Sequence, residues 1–144
     1  MTEEVLFLDT NILLRHLAAD HPVQSPECLR LFQAIEEGRL SVWTTHLVVF
    51  EVVFTLRRFY RIEPARIAEL LLPILDLPGV KLTQKRLYRR VFELFTSHAL
   101  GFADAYHAAL LEHRGQSRLI SYDREFDRVT GLQRLEPSKV LPDG

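Results

Sequence analysis

The chain has 144 residues, of which 47% are hydrophobic and 26% charged, and its formal net charge is −1 at pH 7. This balance is typical of one folded globular domain and excludes a disordered chain. It also excludes a protein that holds nucleic acid by net positive charge alone. The single cysteine excludes an intrachain disulfide and favours a reducing, cytoplasmic setting.

We expect neither a signal peptide nor a transmembrane helix. The opening "MTEEVLFLDT" carries acids where a signal peptide needs basic residues. No run of 18 or more apolar residues follows anywhere in the chain, so no transmembrane helix is expected.

The first elements are a strand and two helices. "EVLFLD", residues 4–9, predicts a short buried strand ending in an acid, and "NILLRHLA" predicts a helix with Asn11 as its N-cap. "SPECLRLFQAIEEG" predicts a second helix with Ser25 as N-cap, Pro26 at the first helical position and Gly38 as terminator.

Strands and helices continue to alternate after Gly38. In chain order we predict a strand over 40–45, helices over 46–60 and from Pro64 to a weakening at Pro73, a strand over 80–83, helices over 84–97 and 102–114, a strand over 118–123, a short helical turn and a strand over 132–136. This order predicts an α/β fold with a central parallel sheet of about 4–5 strands and helices on both faces. Without a linker or repeat, residues 1–144 form one predicted domain.

Four acids stand at places where such a fold gathers ligands. Asp9 and Asp123 each follow an apolar strand, Asp104 lies near the start of a helix, and Glu51 lies about one turn into its own helix after the strand 40–45. Ligands of open α/β sheets bind outside the carboxyl ends of the strands. We therefore expect the four carboxylates to meet at one edge of the sheet.

Glu51 is the unusual member because it interrupts the apolar run "LVVFEVVFTL". The apolar residues of 46–60 cover nearly the full helical circle, which predicts a largely buried helix. Burying an unpaired carboxylate costs several kcal/mol, which is a large fraction of the stability of a typical domain. A contact with Arg58 or with solvent at the helix edge is the alternative explanation.

Each of the other acids also has a purely structural explanation. Asp9 and Asp123 are suited to capping the turns that follow them, and the helix dipole favours Asp104 near an N-terminus. If all four meet, however, their repulsion requires protonation or a bound cation. A cluster of oxygen ligands without cysteine favours Mg²⁺ or Mn²⁺ over Zn²⁺. His107, three residues after Asp104, is interpreted as a surface or core-edge histidine rather than a ligand.

These residues and their contexts resemble a known family. "FLDTNILLRHL", the isolated Glu51, "FADAYHAAL" and "LISYDREFDRV" together look like a PIN domain, and among PIN domains like the single-domain VapC-type toxin ribonucleases of toxin–antitoxin operons. The resemblance covers essentially the whole chain. It implies RNA cleavage that depends on Mg²⁺ or Mn²⁺, with metal-activated water as nucleophile. It also implies a homodimer, and a small antitoxin protein as partner.

The resemblance assigns roles residue by residue. It places Asp9, Glu51, Asp104 and Asp123 at the four catalytic, metal-binding positions, and Thr10, Asn11 and Ser121 where supporting hydroxyl or amide groups stand. "SYD" departs from the usual family pattern, which leaves the supporting groups there open. Asp127 is an additional acid that we interpret as surface charge. The apolar helices 46–60 and 64–76 are candidates for a dimer or antitoxin surface, with core packing as the simpler explanation.

Arginines are the candidates for holding the RNA backbone, because the guanidinium group suits phosphate. They are Arg15, Arg86, Arg89, Arg90 and Arg124, and a solvated helix face is the alternative for the dense "KRLYRR" segment.

Three other functions stay open at this point. One is a PIN nuclease of RNA maturation outside a toxin–antitoxin pair, and one is a non-catalytic PIN-like module that binds RNA or protein. The third is a phosphohydrolase with Asp9 as nucleophile, although such enzymes usually carry a second Asp where this chain has Asn11.

Overall fold

The computed structural model describes residues 4–142. The chain divides into two compact units, Met1–Arg86 and Leu87–Gly144, which we call unit 1 and unit 2.

Unit 1 contains a three-stranded parallel sheet and four helices. Its elements are β1 Leu6–Phe7, α1 Thr10–Ala18, α2 Gln24–Glu36, β2 Val42–Trp43, α3 His46–Arg58, α4 Pro64–Leu75 and β3 Val80–Lys81. The strand order is β1-β2-β3, and Leu6, Val42 and Val80 are neighbours across the sheet.

Unit 2 contains two helices and a two-stranded parallel sheet. After a 3₁₀ turn at Lys85–Leu87 its elements are α5 Tyr88–Ser97, α6 Phe102–His113, β4 Arg118–Ile120, a 3₁₀ turn at Arg124–Arg128, β5 Gln133–Leu135 and a 3₁₀ turn at Pro137–Lys139. Arg118 pairs with Gln133 and Ile120 with Leu135. The helices α5 and α6 pack together around the buried rings of Tyr88 and Phe92, next to Phe102.

The predicted α/β class with parallel strands is confirmed, and all five predicted strands are present. They pair as sheets of three and two strands within the described residues, rather than as one sheet of 4–5. Each strand is two or three residues long because the chain turns into a helix soon after it, as at Thr10 and His46. No helix among residues 4–142 is both long enough and apolar enough to span a membrane.

Two predicted helix caps are wrong. The helix α1 begins at Thr10, and its N-cap position is held by Asp9, two residues before the predicted Asn11. The helix α2 starts at Gln24, because the His21 Nδ1 atom accepts hydrogen bonds from the backbone amides of Val23 and Gln24. The hydroxyl of Ser25 is engaged elsewhere, since it donates to the Arg15 carbonyl oxygen at 2.7 Å.

The expectation that α3 is buried on nearly all sides is also wrong. Its buried positions are Val48, Val49, Val52, Val53 and Leu56, which share one face at helical spacing. This face packs against α1 and α4. The opposite face is exposed, and a helix with only one covered face accommodates a carboxylate on the other.

Candidate functional site

Asp9 follows a backbone segment that is held from two sides. The Leu8 amide donates to the Trp43 carbonyl oxygen at 2.8 Å, and the buried Thr44 hydroxyl donates to the Leu8 carbonyl oxygen at 3.0 Å. Asp9 therefore has a fixed position at the carboxyl end of β1. Asp9 occupies the N-cap position of α1, but its side chain makes no capping hydrogen bond. The capping explanation for this acid is not realised, and its exposed carboxylate faces solvent.

Glu51 lies on the exposed face of α3, so its charge is not buried. The Thr10 hydroxyl donates to the Glu51 Oε2 atom at 2.8 Å. Since Thr10 is the next residue after Asp9, this bond links the start of α1 to the side chain of Glu51. The alternative contact with Arg58 is not what holds the carboxylate. The Arg58 guanidinium instead lies 5.4 Å from the centre of the Phe54 ring.

Asp104 occupies the first turn of α6 in unit 2 and is partly buried. The helix dipole favours an acid at this position, which agrees with the purely structural explanation given for Asp104 in the sequence analysis. Burial nevertheless raises the pKa of the Asp104 carboxyl from 3.8 to about 6, and the neighbouring Asp123 and Glu125 carboxylates act in the same direction. The charged form of Asp104 is therefore disfavoured where it stands.

Asp123 lies in the turn that leaves β4, and local hydrogen bonds define its place. Its backbone amide donates to the Ser121 Oγ atom at 2.9 Å, and its Oδ1 atom accepts from the Glu125 amide at 2.9 Å. The second bond caps the 3₁₀ turn at Arg124–Arg128, as the structural explanation for Asp123 expected. The predicted support by Ser121 takes the form of this hydroxyl contact.

Three carboxylates converge in unit 2. Asp104, Asp123 and Glu125 each offer an oxygen atom, and these oxygens all lie within 4.8 Å of one another. We call this set the unit 2 acid cluster. Carboxylates this close repel one another unless a proton or a cation lies among them. An all-oxygen donor set of this size fits a hard divalent cation of the Mg²⁺ or Mn²⁺ type.

Glu125 was missed by the sequence analysis. The acids predicted there each follow a strand or stand near the start of a helix, whereas Glu125 lies inside a 3₁₀ turn. The available signal was the short spacing after Asp123. A turn capped by Asp123 places the side chain of Glu125, two residues later, on the same side as the Asp123 carboxylate.

The other predicted residues lie at the positions expected of surface groups. Asn11, Arg124 and His107 are exposed, and the Arg15 Nε atom donates to Gln24 Oε1 at 2.8 Å. Asp127 forms an ion pair with Arg134 at 3.1 Å. Arg86 and Arg89 are exposed.

Arg90 is engaged within unit 2 itself. Its Nε and Nη2 atoms donate to the two oxygens of Glu112 at 2.8 and 2.9 Å, and its Nη1 atom donates to Glu93 at 2.7 Å. Through these bonds Arg90 raises the acidity of Glu112, whose pKa is lowered. The guanidinium thus joins α5 to α6 and contributes to the fold of the unit.

The predicted acids therefore form two sets, each within one unit. Unit 1 holds Asp9 and Glu51 with Thr10 next to both, and unit 2 holds Asp104 and Asp123 together with Glu125. The meeting of all four predicted carboxylates at one edge stays a prediction.

Comparison with known proteins covers both units. A family profile described as PIN domain matches residues 6–132. The chain is also 30% identical over 137 residues to a protein named Ribonuclease VapC7 from Mycobacterium tuberculosis, and the match covers 92% of each of the two chains. The matched region includes every predicted acid from Asp9 to Asp123.

Proposed function

The chain belongs to the PIN-domain family, and on that premise we propose that it is a metal-dependent endoribonuclease that hydrolyses RNA phosphodiester bonds. The relative named Ribonuclease VapC7 supports this activity. The observation that carries the proposal is the unit 2 acid cluster, in which a partly buried Asp104 is held near two further carboxylates. Acids whose pKa is perturbed by burial and by nearby carboxylates are enriched at functional sites.

The proposed cofactor is Mg²⁺ or Mn²⁺. Asp104 and Asp123 are its proposed ligands in unit 2, with Glu125 as an additional one, and Asp9 and Glu51 are the proposed ligands from unit 1. When bound, a divalent cation lowers the pKa of a coordinated water and neutralises charge on the phosphate. We propose that all four predicted acids serve this one reaction, as a single domain over 1–144.

The residues of unit 1 have separate tasks in this proposal. Asp9 presents a carboxylate that no helix cap consumes. Thr10 fixes the orientation of the Glu51 carboxylate through its hydroxyl and leaves the second Glu51 oxygen available. Supporting hydrogen bonds of this kind set the orientation of a metal-binding carboxylate.

The substrate would be held and cleaved without a covalent enzyme intermediate. Water supplies the oxygen that bonds to phosphorus while the bond to the 3′ oxygen breaks, which leaves a 5′-phosphate and a 3′-hydroxyl. Arg15 and Arg124 are the proposed contacts to the RNA backbone, together with the exposed Arg86 and Arg89. Asn11, exposed in the first turn of α1, is a proposed polar contact beside Asp9.

The test is a cleavage assay on RNA with added Mn²⁺ or Mg²⁺, comparing the unchanged protein with Asp104→Asn. We expect the variant to fold and to lose cleavage. Asp20→Asn is the matched control, because Asp20 is an exposed aspartate whose contact with Tyr60 survives the amide. Cleavage by Asp104→Asn at the level of the control would contradict the proposal.

We further propose that the ribonuclease acts as a toxin in the cytoplasm, with a small antitoxin protein as partner, and that it forms a homodimer. The exposed face of α3 supports an interaction surface, since Leu47 and Phe54 are 67% and 62% exposed and Phe59 follows at 79%. Large exposed apolar side chains are typical of protein contacts.

Two measurements test the toxin and dimer proposals. Induced expression is expected to arrest growth, and an antitoxin-sized protein encoded directly upstream is expected to relieve the arrest. Light scattering on purified protein is expected to give the mass of two chains, and Phe54→Glu is expected to give one. A monomer before substitution would contradict the dimer.

A further inference from the structure

Arg134 lies on β5 and is not used by the proposed chemistry, yet it is one of the least exposed charged groups in unit 2. Its side chain is only 13% exposed. The Nε and Nη2 atoms donate to the two carboxylate oxygens of Asp127 at 3.1 and 3.4 Å. The Nη1 atom donates to the Ser121 carbonyl oxygen at 3.1 Å and lies 3.6 Å from Glu136. One guanidinium thus joins a paired acid to a backbone carbonyl.

The bond to Ser121 replaces one that the sheet cannot make. In the β4–β5 ladder the Gln133 amide donates to the Ser117 carbonyl, and the Ser121 amide donates to the Leu135 carbonyl. The alternation of a parallel ladder assigns the next bond to the amide of residue 137 and the carbonyl of Ser121. Residue 137 is proline, which has no N–H group. The Arg134 side chain supplies the missing donor.

The position of this bond connects it to the unit 2 acid cluster. Ser121 is the last residue held by the ladder, and the chain then turns toward Asp123. The Ser121 hydroxyl accepts from the Asp123 amide, and Asp123 in turn accepts from the Glu125 amide. Fixing the Ser121 peptide therefore fixes the start of a short chain of hydrogen bonds that runs through the Asp123 carboxylate to the backbone amide of Glu125.

We propose that Arg134, oriented by Asp127, is a positioning residue that holds the Ser121–Glu125 segment so that Asp123 and Glu125 stay close to Asp104 and bind a divalent cation. This inference rests on the proposed metal-dependent function. Carboxylates that repel one another separate unless the backbone carrying them is restrained. Outer groups that hold metal ligands in place have effects on metal affinity without touching the ion. Asp127 is then the group that orients Arg134, rather than an additional ligand.

The test measures Mn²⁺ binding directly, by electron paramagnetic resonance of free Mn²⁺ during titration of the metal-free full-length protein. Arg134→Met keeps side-chain length and removes the guanidinium. We expect its dissociation constant for Mn²⁺ to rise about 10- to 100-fold. Arg134→Lys keeps the charge without the planar guanidinium, and its dissociation constant for Mn²⁺ is expected to lie between those of Arg134→Met and the unchanged protein. Arg66→Met is the matched control, since it removes an exposed ion pair with Glu69 on α4 in unit 1.

Activity provides a second readout that a purely structural role would not move. For Arg134→Met we expect the half-saturating Mn²⁺ concentration for RNA cleavage to rise by the same factor, with kcat largely restored at saturating Mn²⁺. A lower melting temperature with unchanged Mn²⁺ affinity would overturn the inference. If Arg134→Met does not fold, Arg134→Lys and Asp127→Asn take its place, and unchanged Mn²⁺ affinity in both overturns the inference equally.

The outcome for the unchanged protein separates this inference from the proposed function. Mn²⁺ binding by the unchanged protein, with equal binding by Arg134→Met, contradicts the role of Arg134 alone. A failure of the unchanged protein to bind Mn²⁺ contradicts the proposed function and the role of Arg134 together.

Discussion

The acids of the two units differ in their surroundings although they are the same kinds of residue. In unit 1 Asp9 is exposed, and Glu51 is exposed and accepts one hydrogen bond from Thr10. In unit 2 Asp104 is partly buried within 4.8 Å of oxygens from Asp123 and Glu125, and its pKa is raised to about 6. Burial and the neighbouring carboxylates therefore disfavour the charged form of Asp104 in unit 2, whereas Asp9 and Glu51 in unit 1 are exposed to solvent. A divalent cation bound at the unit 2 acid cluster would offset the cost of charging Asp104.

The largest expected effect is the loss of RNA cleavage when Asp104, in the unit 2 acid cluster, is substituted. Asp104→Asn is expected to reduce metal-dependent RNA cleavage by about 1,000-fold, because a metal-stabilised transition state loses several kcal/mol. The same change removes the cost of burying a charge at Asp104 and the repulsion from Asp123 and Glu125, so the metal-free variant is expected to melt at a higher temperature than the unchanged protein. Cleavage rates and thermal unfolding at pH 7 measure both. Lower activity with lower stability would contradict the contrast between the units.

The acids of unit 1 sharpen the contrast. Asp9→Asn is expected to reduce cleavage strongly, without the rise in melting temperature expected of Asp104→Asn. Thr10→Val is expected to reduce cleavage by about 10- to 100-fold, since it frees the Glu51 carboxylate from its hydrogen bond. Thr10→Ser is the control that keeps the hydroxyl. A clear gain in stability for Asp9→Asn would mean that unit 1 also stores repulsion.

The pH dependence of stability follows from the raised pKa of Asp104. A carboxyl whose pKa is higher in the folded than in the unfolded state binds more protons when folded, so its contribution to stability falls as pH rises from about 4 to about 6. The stability difference between Asp104→Asn and the unchanged protein is therefore expected to be near zero below pH 4 and to favour the variant above pH 6. Denaturant unfolding without metal at several pH values checks this. A difference that is constant with pH would contradict it.

The smallest expected effects distinguish an arginine that stabilises the fold from an arginine that contacts the RNA. Arg90→Met breaks the partly exposed network with Glu112 and Glu93 and is expected to cost about 0.5–1 kcal/mol of stability, with an unchanged KM for RNA. Arg124→Met is expected to raise KM without that loss. A raised KM without a loss of stability for Arg90→Met would mean that Arg90 contacts the RNA.

The sequence was sufficient for the secondary-structure elements and for the places of Asp9 and Asp104 in them, because these signals are local. Apolar runs predicted all five strands, and the placement of Asp9 after β1 and Asp104 at the start of α6 matches the structure. The burial of α3 was not predicted correctly, because a wheel of apolar residues does not say which of them a neighbour covers. Leu47 and Phe54 are as apolar as Val49 and Val52, yet only the latter pair faces α1 and α4.

What the sequence could not give depends on contacts between distant residues. Nothing local marks Arg134 as the partner of the Ser121 carbonyl, since the reason lies in the register of two strands and in the proline at 137. The cap at His21 was missed for a similar reason, because the Ser25 hydroxyl is occupied by the end of another helix. Glu125 is close to Asp123 in sequence, but its place in the unit 2 acid cluster can be recognised only once the 3₁₀ turn is known.

The proposed function requires that a divalent cation binds among these acids and supports RNA cleavage. The most direct measurement is a crystal grown with Mn²⁺ and examined by anomalous scattering at the manganese edge. We expect a manganese peak within coordination distance of Asp104 and Asp123, with Asp9 and Glu51 as further ligands directly or through water. A saturated crystal with no manganese at these carboxylates, from protein that cleaves RNA, would contradict it.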